Sequence, residues 1–294
     1  MPAPLTYEQL ITAISDRYDA MSAVFRKAAQ YIVQNPNAVA LQSVKVTGQQ
    51  SGVPASTLVR FAQSFEYSGF NEMQKVFQSR LTTALPGLDY RLERLRRELD
   101  VAVKGPSHGV LSDLVLRDIA ALHDMLQRIA ESDLERAADL IQGADRVYCV
   151  GQLRSFPVAF YMTYALTYLK RPAQLLDNLG SMAREQVALL SERSVLFAVS
   201  FPYYARETVD IVQLAKTRGA RIVAITDTVL SPLSKNADVC FHIPESAANF
   251  AYSIAAPACL AQALAIAVAH RIEGLPENIA SLLPAPSGAA LGLR

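Results

Sequence analysis

Beyond Gly143 the sequence alternates short apolar runs, rich in β-branched residues, with stretches of helical periodicity. The runs that we expect to be strands cover residues 146–150, 173–176, 195–200, 221–226 and 239–243. The helical stretches between them cover residues 155–169, 181–190 and 205–218, and a short helix is expected to open at Ser231. Continuous apolar strands that alternate with helices are typical of a parallel sheet covered by helices on both faces. This part of the chain is therefore predicted to be an α/β layer domain.

The first third of the chain shows only helical patterns. The expected helices cover residues 21–34, 41–50, 54–65 and about 71–84. Asn35-Pro36 ends the first of them, because proline disfavours the helical conformation in the residue before it. The turn at 51–54 places Pro54 at the start of the next helix, and Asn71 is a candidate cap for the last one. We expect an all-helical domain with a helix-turn-helix.

A length of 294 residues is about twice that of a typical domain, which favours two domains. Pro86-Gly87 and Gly105-Pro106 bracket a charged stretch, in which we expect an exposed connecting helix at 91–100. Further helices are expected at 112–129 and 132–141, the second opened by a capping box of Ser132 and Glu135. The predicted plan is a helix-turn-helix domain at 1–85, a linker at 86–111, an α/β domain at 112–284 and a flexible tail at 285–294.

Charge is distributed unevenly along the chain. The net charge of +1 excludes a protein that coats polyanions over its whole surface. Between Asp19 and Glu66 there is no acidic residue, whereas from residue 105 onward there are 16 basic and 18 acidic residues. The basic bias belongs to the helical third, so any contact with nucleic acid is expected there.

The helix expected at 54–65 has the composition of a recognition helix. Ser56, Thr57 and Arg60 share one face near its amino terminus, where short polar and basic side chains reach base edges and phosphates. Lys45 and Gln49 on the preceding helix are placed for phosphates. Two helices joined by a glycine-containing turn are also common as ordinary packing, and this alternative stays open.

Polar residues follow three of the expected strands. In parallel sheets the crevice at the carboxyl ends of the strands binds ligands, and helix amino termini there attract anions. The candidate ligand-binding residues are Gly151, Arg154, Ser155, Ser200, Tyr203, Tyr204, Arg206, Thr226 and Asp227. The alternative is a set of structural loops and caps, with Arg206 in solvent.

Other classes of protein find little support in the sequence. Cys149, Cys240 and Cys259 are odd in number and widely spaced, which fits a reducing compartment, and no secretory leader is visible, so we expect a cytoplasmic protein. Residues 251–270 are uncharged but mostly alanine, which favours a buried helix over a membrane span. The scattered histidines indicate no metal site, and we assign no cofactor and no catalytic residue.

Two stretches resemble a known family. Residues 51–61, SGVPASTLVRF, and 69–73, GFNEM, resemble the amino-terminal domain of the RpiR/MurR family of bacterial transcription regulators. Val150-Gly151, Ser200 with Glu207-Thr208, and residues 224–227 are similar to the family's carboxyl-terminal SIS domain, a phosphosugar-binding module of the sugar-isomerase type. The resemblance implies a five-stranded parallel sheet flanked by helices, a homodimer or homotetramer, and operator binding modulated by a sugar-phosphate-like effector.

The chain departs from the SIS pattern in both phosphate loops. Where the family has Gly-x-Gly-Ser-Ser, residues 151–155 read GQLRS, and where it has Ser-x-Ser-Gly-x-Thr, residues 200–205 read SFPYYA. Pro202 and Ala205 remove two hydroxyls, and proline also removes a backbone donor. Arg154 and Arg206 are candidates to replace these donors, because guanidinium groups pair with phosphate or carboxylate.

We therefore expect a transcriptional repressor of carbohydrate or related metabolism that binds double-stranded operator DNA as a symmetric oligomer. Its effector would be a sugar phosphate, a sugar acid or a polyol. The alternative is a phosphosugar isomerase with the SIS fold, whose amino-terminal helices serve only dimerisation, since one fold can host both uses.

Overall fold

The computed structural model describes residues 3–83, 106–202, 204–243 and 253–272, and the fold is given for these. Contacts divide the chain into two compact units, the first formed mainly by residues up to Arg117 and the second mainly by residues from Asp118 onward. The connecting helix expected at 91–100, the tail expected at 285–294 and Tyr203 lie outside the described residues.

Helices build the first unit. They are α1 (Tyr7–Arg17), α2 (Ala23–Gln34), α3 (Pro36–Leu41), α4 (Val44–Ser51), α5 (Ala55–Gln63) and α6 (Phe70–Thr83). Their apolar faces meet in one core, in which Phe61 packs edge-on against Phe25 and tilted against Phe65. Leu10 and Ile14 of α1 are also fully buried there. The helical domain expected from the sequence is confirmed.

Several details of this unit differ from the expectations. α1 was not expected, and the helix expected at 41–50 begins at Val44, because Leu41 still belongs to α3. Pro36 ends α2 and also opens α3, since its missing N–H is tolerated in a first turn. Asn71 lies inside α6 and does not precede it.

The second unit contains an α/β sandwich. Helix α7 (Pro106–Arg128) spans the boundary between the two units at Arg117. The other helices of the second unit are α8 (Glu131–Gly143), α9 (Phe156–Tyr168), α10 (Ala183–Val187), α11 (Arg206–Thr217) and α12 (Ala255–Ala269). Its strands are β1 (Arg146–Val150), β2 (Ala173–Leu175), β3 (Ser194–Val199), β4 (Arg221–Thr226) and β5 (Val239–His242). All neighbouring strands pair in parallel, in the order β2-β1-β3-β4-β5. The expected five-stranded parallel sheet is confirmed, and each strand boundary lies within one residue of its expected position.

Alternate residues of the strands cover opposite faces of the sheet. Val147 and Phe197 lie on the face that α8, α9 and α12 cover, whereas Tyr148 and Leu196 lie on the face that α10 and α11 cover. The chain leaves β1 for the edge strand β2 and then returns to β3 on the other side of β1. The gap between β1 and β3 is therefore the topological switch point, where open α/β sheets bind ligands.

Three expectations for this unit are wrong in detail. α7 begins at Pro106, six residues before the expected start at 112. Ser132 lies inside α8 and makes no capping box, because the first turn closes on the carbonyl of Ala130, which accepts from the amide of Asp133 at 3.1 Å. The short helix expected to open at Ser231 is a series of turns.

The alanine-rich segment folds as expected into a helix, α12, whose inner side is buried through Leu260, Leu264 and Val268. Within the described ranges, no helix has the length and apolar character that a membrane crossing requires.

Candidate functional site

The first candidate site is the turn between α4 and α5. Gly52 adopts the left-handed conformation, with φ of +60°, which a side chain would strain. The amide of Val53 then donates to the carbonyl of Gly48 at 3.0 Å, so the chain turns directly into α5. This geometry fixes the angle between the two helices of the helix-turn-helix.

Helix α2 holds this turn in place. The Lys27 ammonium donates to the carbonyl oxygen of Gly52 at 3.1 Å, and the Tyr31 hydroxyl donates to the amide oxygen of Gln50 at 2.5 Å. Burial raises the pKa of Tyr31, so this hydroxyl stays protonated as a donor. Lys27 lies in the stretch without acidic residues and was not among the expected site residues. Its role could have been inferred from its spacing of four residues from Tyr31, which puts both side chains on one side of α2.

The expected recognition helix presents the expected residues. Leu58 and Phe61 are fully buried beneath α5, whereas Ser56 and Arg60 are exposed and Thr57 is half-buried. Pro54 precedes α5 and makes no side-chain cap, and the Thr57 amide donates to the Pro54 carbonyl at 2.9 Å, so the amides that can reach an anion are those of Ala55 and Ser56. Lys45 and Gln49 are exposed on α4.

The second candidate site lies after β1. A Cβ atom at Gly151 would stand 2.8 Å from the backbone oxygen of Ser155 and 3.2 Å from the Cβ of Ala159, so only glycine fits here. Two residues on, Leu153 has a φ of +54° and is 78% exposed. The backbone thus keeps a left-handed residue at the position where the SIS pattern has its second glycine.

The loops after β1 and β3 meet through Arg154. Its guanidinium carbon lies 5.2 Å from the centre of the Phe201 ring, and Phe201 is buried. A cation over an aromatic face is attracted by the ring and is held in a fixed direction. Arg154 therefore stands at the switch point between β1 and β3. Phe201 was not among the expected site residues, although an aromatic residue next to Pro202 was a visible signal.

The loops after β3 and β4 meet through Tyr204. Its hydroxyl donates to the Asp227 carboxylate at 2.7 Å, and the Thr226 hydroxyl donates to the same oxygen at 3.2 Å. Thr226 and Asp227 are both buried. A buried carboxylate with two donors is fixed in position, so Tyr204 and Asp227 are held together at the carboxyl ends of β3 and β4.

The remaining expected residues divide into two groups. Ser155 and Ser200 are buried at the ends of their loops, and the amide of Ser200 donates to the carbonyl of Ile225 at 3.1 Å. Arg206 points away: its side chain is 92% exposed and lies 3.8 Å from Asp210, one turn along α11. Arg154 and Tyr204 lie in the loops at the carboxyl ends of β1 and β3, where the fold predicts a ligand crevice, whereas Arg206 is at the surface.

Two buried polar atoms near the same loops have no hydrogen-bond partner among the described residues. They are the side-chain amide nitrogen of Gln152 and the hydroxyl of Thr208, which lies in the first turn of α11. A buried donor without a partner costs free energy, so a ligand that offers acceptors to these two atoms would bind more favourably.

Three titratable groups of the sheet, Cys149, Cys240 and His242, are held in their neutral forms at neutral pH. Burial raises the pKa of Cys149 to about 12 and that of Cys240 to about 11, so neither provides a thiolate at neutral pH. Burial lowers the pKa of His242 to about 4, and its Nε2 lies 3.0 Å from the Ser234 hydroxyl. Among the described residues, no group of three or more His, Cys, Asp or Glu side chains is placed to hold a metal ion.

Comparison with known proteins gives matches to both units. Residues 8–83 match the model of the helix-turn-helix domain of the rpiR family, and residues 140–267 match that of the SIS domain. The HTH-type transcriptional regulator HexR of Pseudomonas aeruginosa is 24% identical over 238 residues, covering 81% of this chain and 79% of HexR.

Two solved structures share the fold. The sugar isomerase domain of an RpiR transcription factor from Sphaerobacter thermophilus is 26% identical, with a TM-score of 0.53, over 57% of this chain and 93% of that domain. Vibrio vulnificus NanR, solved in complex with ManNAc-6P, has a TM-score of 0.52 and 19% identity over 89% of this chain and 92% of NanR.

Proposed function

Because the chain belongs to the RpiR family of helix-turn-helix regulators with a SIS domain, we propose that it represses genes of carbohydrate or related metabolism under the control of a small effector. The observation that carries the proposal is the exposed, acid-free face of α5, held by α2 on a complete helix-turn-helix. The protein is a DNA-binding regulator that responds to a sugar-derived ligand. We place it in the cytoplasm, where its operator is, and propose that it acts as a homo-oligomer.

The proposed DNA contact places α5 in the major groove. Arg60, Ser56 and Thr57 would face base edges, while Lys45 and Gln49 would lie on phosphates. Arg60→Ala should weaken specific operator binding by about 1 to 3 kcal/mol, measured by fluorescence anisotropy. Arg193→Ala, which removes an exposed arginine paired with Asp145 in the second unit, is the matched control. Unchanged operator affinity in Arg60→Ala would remove Arg60 from the recognition surface.

The proposed effector site is the crevice between β1 and β3. Arg154 supplies a cation oriented by Phe201, and Tyr204 with Asp227 supplies a polar wall. Pro202 and Ala205 stand where the family pattern has hydroxyls, so we propose an anionic or polyhydroxylated metabolite held by arginine and tyrosine contacts.

A thermal-shift panel of sugar phosphates, sugar acids and polyols tests this site, because a ligand of the native state raises the melting temperature. Arg154→Ala should lose the response to an anionic hit. Arg206→Ala, whose side chain lies at the surface, should keep that response. An Arg154→Ala protein that responds like the wild type would overturn the proposed site.

We also propose that the chain is not an enzyme. The relative HexR carries a regulator's name, and burial raises the pKa of Cys149 to about 12, so this thiol is no nucleophile at neutral pH. Turnover of an aldose or ketose phosphate by the purified protein, lost in Arg154→Ala, would favour the isomerase alternative.

A further inference from the structure

Helix α5 exposes a polar side chain beyond the expected recognition residues. Gln63, the last residue of α5, is exposed, as are Ser56 and Arg60. These three residues follow one another at intervals of four and three, so they lie in one row along one face of the helix. We call Ser56, Arg60 and Gln63 the reading row.

The reading row lies in a surface without acidic groups. Within the described ranges, the Arg60 guanidinium forms no ion pair, and the row falls inside the stretch between Asp19 and Glu66 that contains no acidic residue. Glu66 is exposed in the turn that follows α5, and phosphates would repel its charge. The surface that can face DNA therefore ends at Gln63.

Two contacts fix the end of α5 that carries Gln63. The Gln63 side-chain nitrogen donates a long hydrogen bond to the carbonyl of Ser68, at 3.5 Å. The Arg17 guanidinium of α1 donates to the carbonyl of Ser64 at 2.8 Å, and its carbon lies 5.2 Å from the centre of the Phe65 ring. Because α1 holds this end of the helix, the Gln63 side chain is oriented before any DNA binds.

The side-chain amide of glutamine is complementary to adenine. After its bond to Ser68, Gln63 keeps one N–H donor and its carbonyl oxygen. In the major groove adenine presents the matching pair, an N7 acceptor and an N6 donor, and glutamine binds both at once. Arginine binds guanine in the same way through O6 and N7, whereas serine contacts several bases.

The spacing of the reading row fits successive base pairs. An α-helix rises about 1.5 Å per residue, so Arg60 and Gln63 are about 4.5 Å apart along the axis. Neighbouring base pairs are about 3.4 Å apart. In zinc fingers, recognition-helix residues at intervals of three or four contact successive bases. Arg60 and Gln63 can therefore contact adjacent base pairs.

We propose that Gln63 determines DNA specificity together with Arg60, and that each operator half-site contains an A·T pair contacted by Gln63 next to a G·C pair contacted by Arg60. This inference rests on the proposed function, since it requires that α5 enters the major groove. It adds the chemistry of two adjacent base pairs, which the proposed function leaves open.

Selection from a pool of DNA duplexes with a randomised centre tests this assignment. The full-length wild type should enrich a motif with a G·C pair beside an A·T pair in each half-site. Gln63→Ala should enrich a motif that keeps the G·C pair and has no preference at its neighbour. Gln127→Ala truncates an exposed glutamine of α7 in the second unit, and this matched control should enrich the wild-type motif.

Fluorescence anisotropy on the selected duplex measures the size of the effect. The wild type should bind the duplex with A·T at this pair about 5- to 140-fold more tightly than the duplex with G·C, the range that one bidentate contact provides. Gln63→Ala should bind both duplexes with nearly equal Kd. Uniformly weaker binding with an unchanged base preference would show that Gln63 only holds the turn at Ser68, and would overturn the proposal.

A second variant, Gln63→Arg, guards against a folding defect in Gln63→Ala, because a defect cannot create a new preference. Arginine at this position should favour guanine, so the preferred pair should change from A·T to G·C while the pair contacted by Arg60 stays the same. A Gln63→Arg protein that still prefers A·T would contradict the assignment.

The wild-type selection separates this inference from the proposed function. A wild type that enriches no motif would overturn the regulator, and the assignment of Gln63 with it. An enriched motif that is identical for the wild type and Gln63→Ala would overturn the assignment alone and support the regulator.

Discussion

Among single residues, Gly151 imposes the tightest steric limit on the effector loop. Its missing side chain lets the chain pass within 2.8 Å of the Ser155 carbonyl oxygen, measured from where a Cβ would stand. Gly151→Ala should therefore lower the free energy of unfolding by about 1 to 3 kcal/mol, as overpacking does. Gly143→Ala is the control, because a Cβ at Gly143 meets nothing within 4 Å. Urea denaturation of both variants checks this, and equal stabilities would contradict it.

Leu153 is the opposite case, because it carries a side chain at a position whose backbone conformation favours glycine. A left-handed conformation disfavours a non-glycine residue by about 1 to 2 kcal/mol, and the exposed leucine recovers little of this by packing. Leu153→Gly should stabilise the protein by about 0.5 to 1 kcal/mol, since glycine also loses more entropy on folding. Leu153→Ala removes the same apolar surface but retains the strain, so a melting temperature raised equally by both variants would count against strain as the cause.

His242 should make stability depend on pH. Burial lowers its pKa to about 4, with the Asp133 charge opposing this effect, whereas the unfolded chain binds the proton near pH 6.5. The unfolded state therefore holds more protons between these values, and the free energy of unfolding should fall by up to about 3 kcal/mol as pH drops from about 6.5 to about 4. Chemical denaturation across this range should show a shallower fall in His242→Gln, with His270→Gln as the control. An unchanged pH profile in His242→Gln would refute this.

At the scale of elements, α2 acts as the support of the helix-turn-helix through Lys27. Lys27→Met should loosen the turn at Gly52 and weaken operator binding by about 0.5 to 1.5 kcal/mol, the usual contribution of one hydrogen bond. If Lys27 acts by positioning, the dependence of log affinity on log salt should stay the same. A lost phosphate contact would instead reduce that slope by about 0.9. Arg26→Met, one position earlier on the exposed side of α2, controls for loss of a positive charge.

The strands were predictable because continuous β-branched runs bounded by polar residues have few alternative interpretations. Short helices were harder. α3 has only six residues and shares Pro36 with the end of α2, so its pattern is too brief to separate from a turn. α1 did carry a signal, since Thr6 and Gln9 form a complete capping box. A similar spacing of Ser132 and Glu135 led to a wrong prediction of a capping box, because the carbonyl of Ala130 closes the first turn of α8.

The sequence predicted the location of the candidate site better than it predicted which side chains contact each other there. Strand order fixes which loops meet, so Arg154 and Asp227 could be expected at one edge of the sheet. Side-chain directions depend on packing that a sequence does not display. Arg206 turns toward Asp210 along its own helix, and Phe201 becomes the partner of Arg154.

In the whole molecule, the uneven distribution of charge favours DNA binding by the amino-terminal unit. Residues from 105 onward carry slightly more acidic than basic groups, so they add no attraction to phosphates. The salt dependence of binding should therefore scale with the number of helix-turn-helix units engaged. The full chain on a two-fold operator should show about twice the log–log salt slope that it shows on a single half-site. Equal slopes in a titration against potassium chloride would mean that only one unit touches DNA.

The left-handed backbone at Leu153 also bears on how the effector loop could be redesigned. Leu153 has a φ of +54° at the position where the family pattern has a glycine, so the loop already holds a conformation that glycine adopts without strain. A glycine placed there would need no change in the path of the chain. Redesign of effector specificity can therefore be confined to side chains, with the backbone of the loop and the operator-binding unit left as they are.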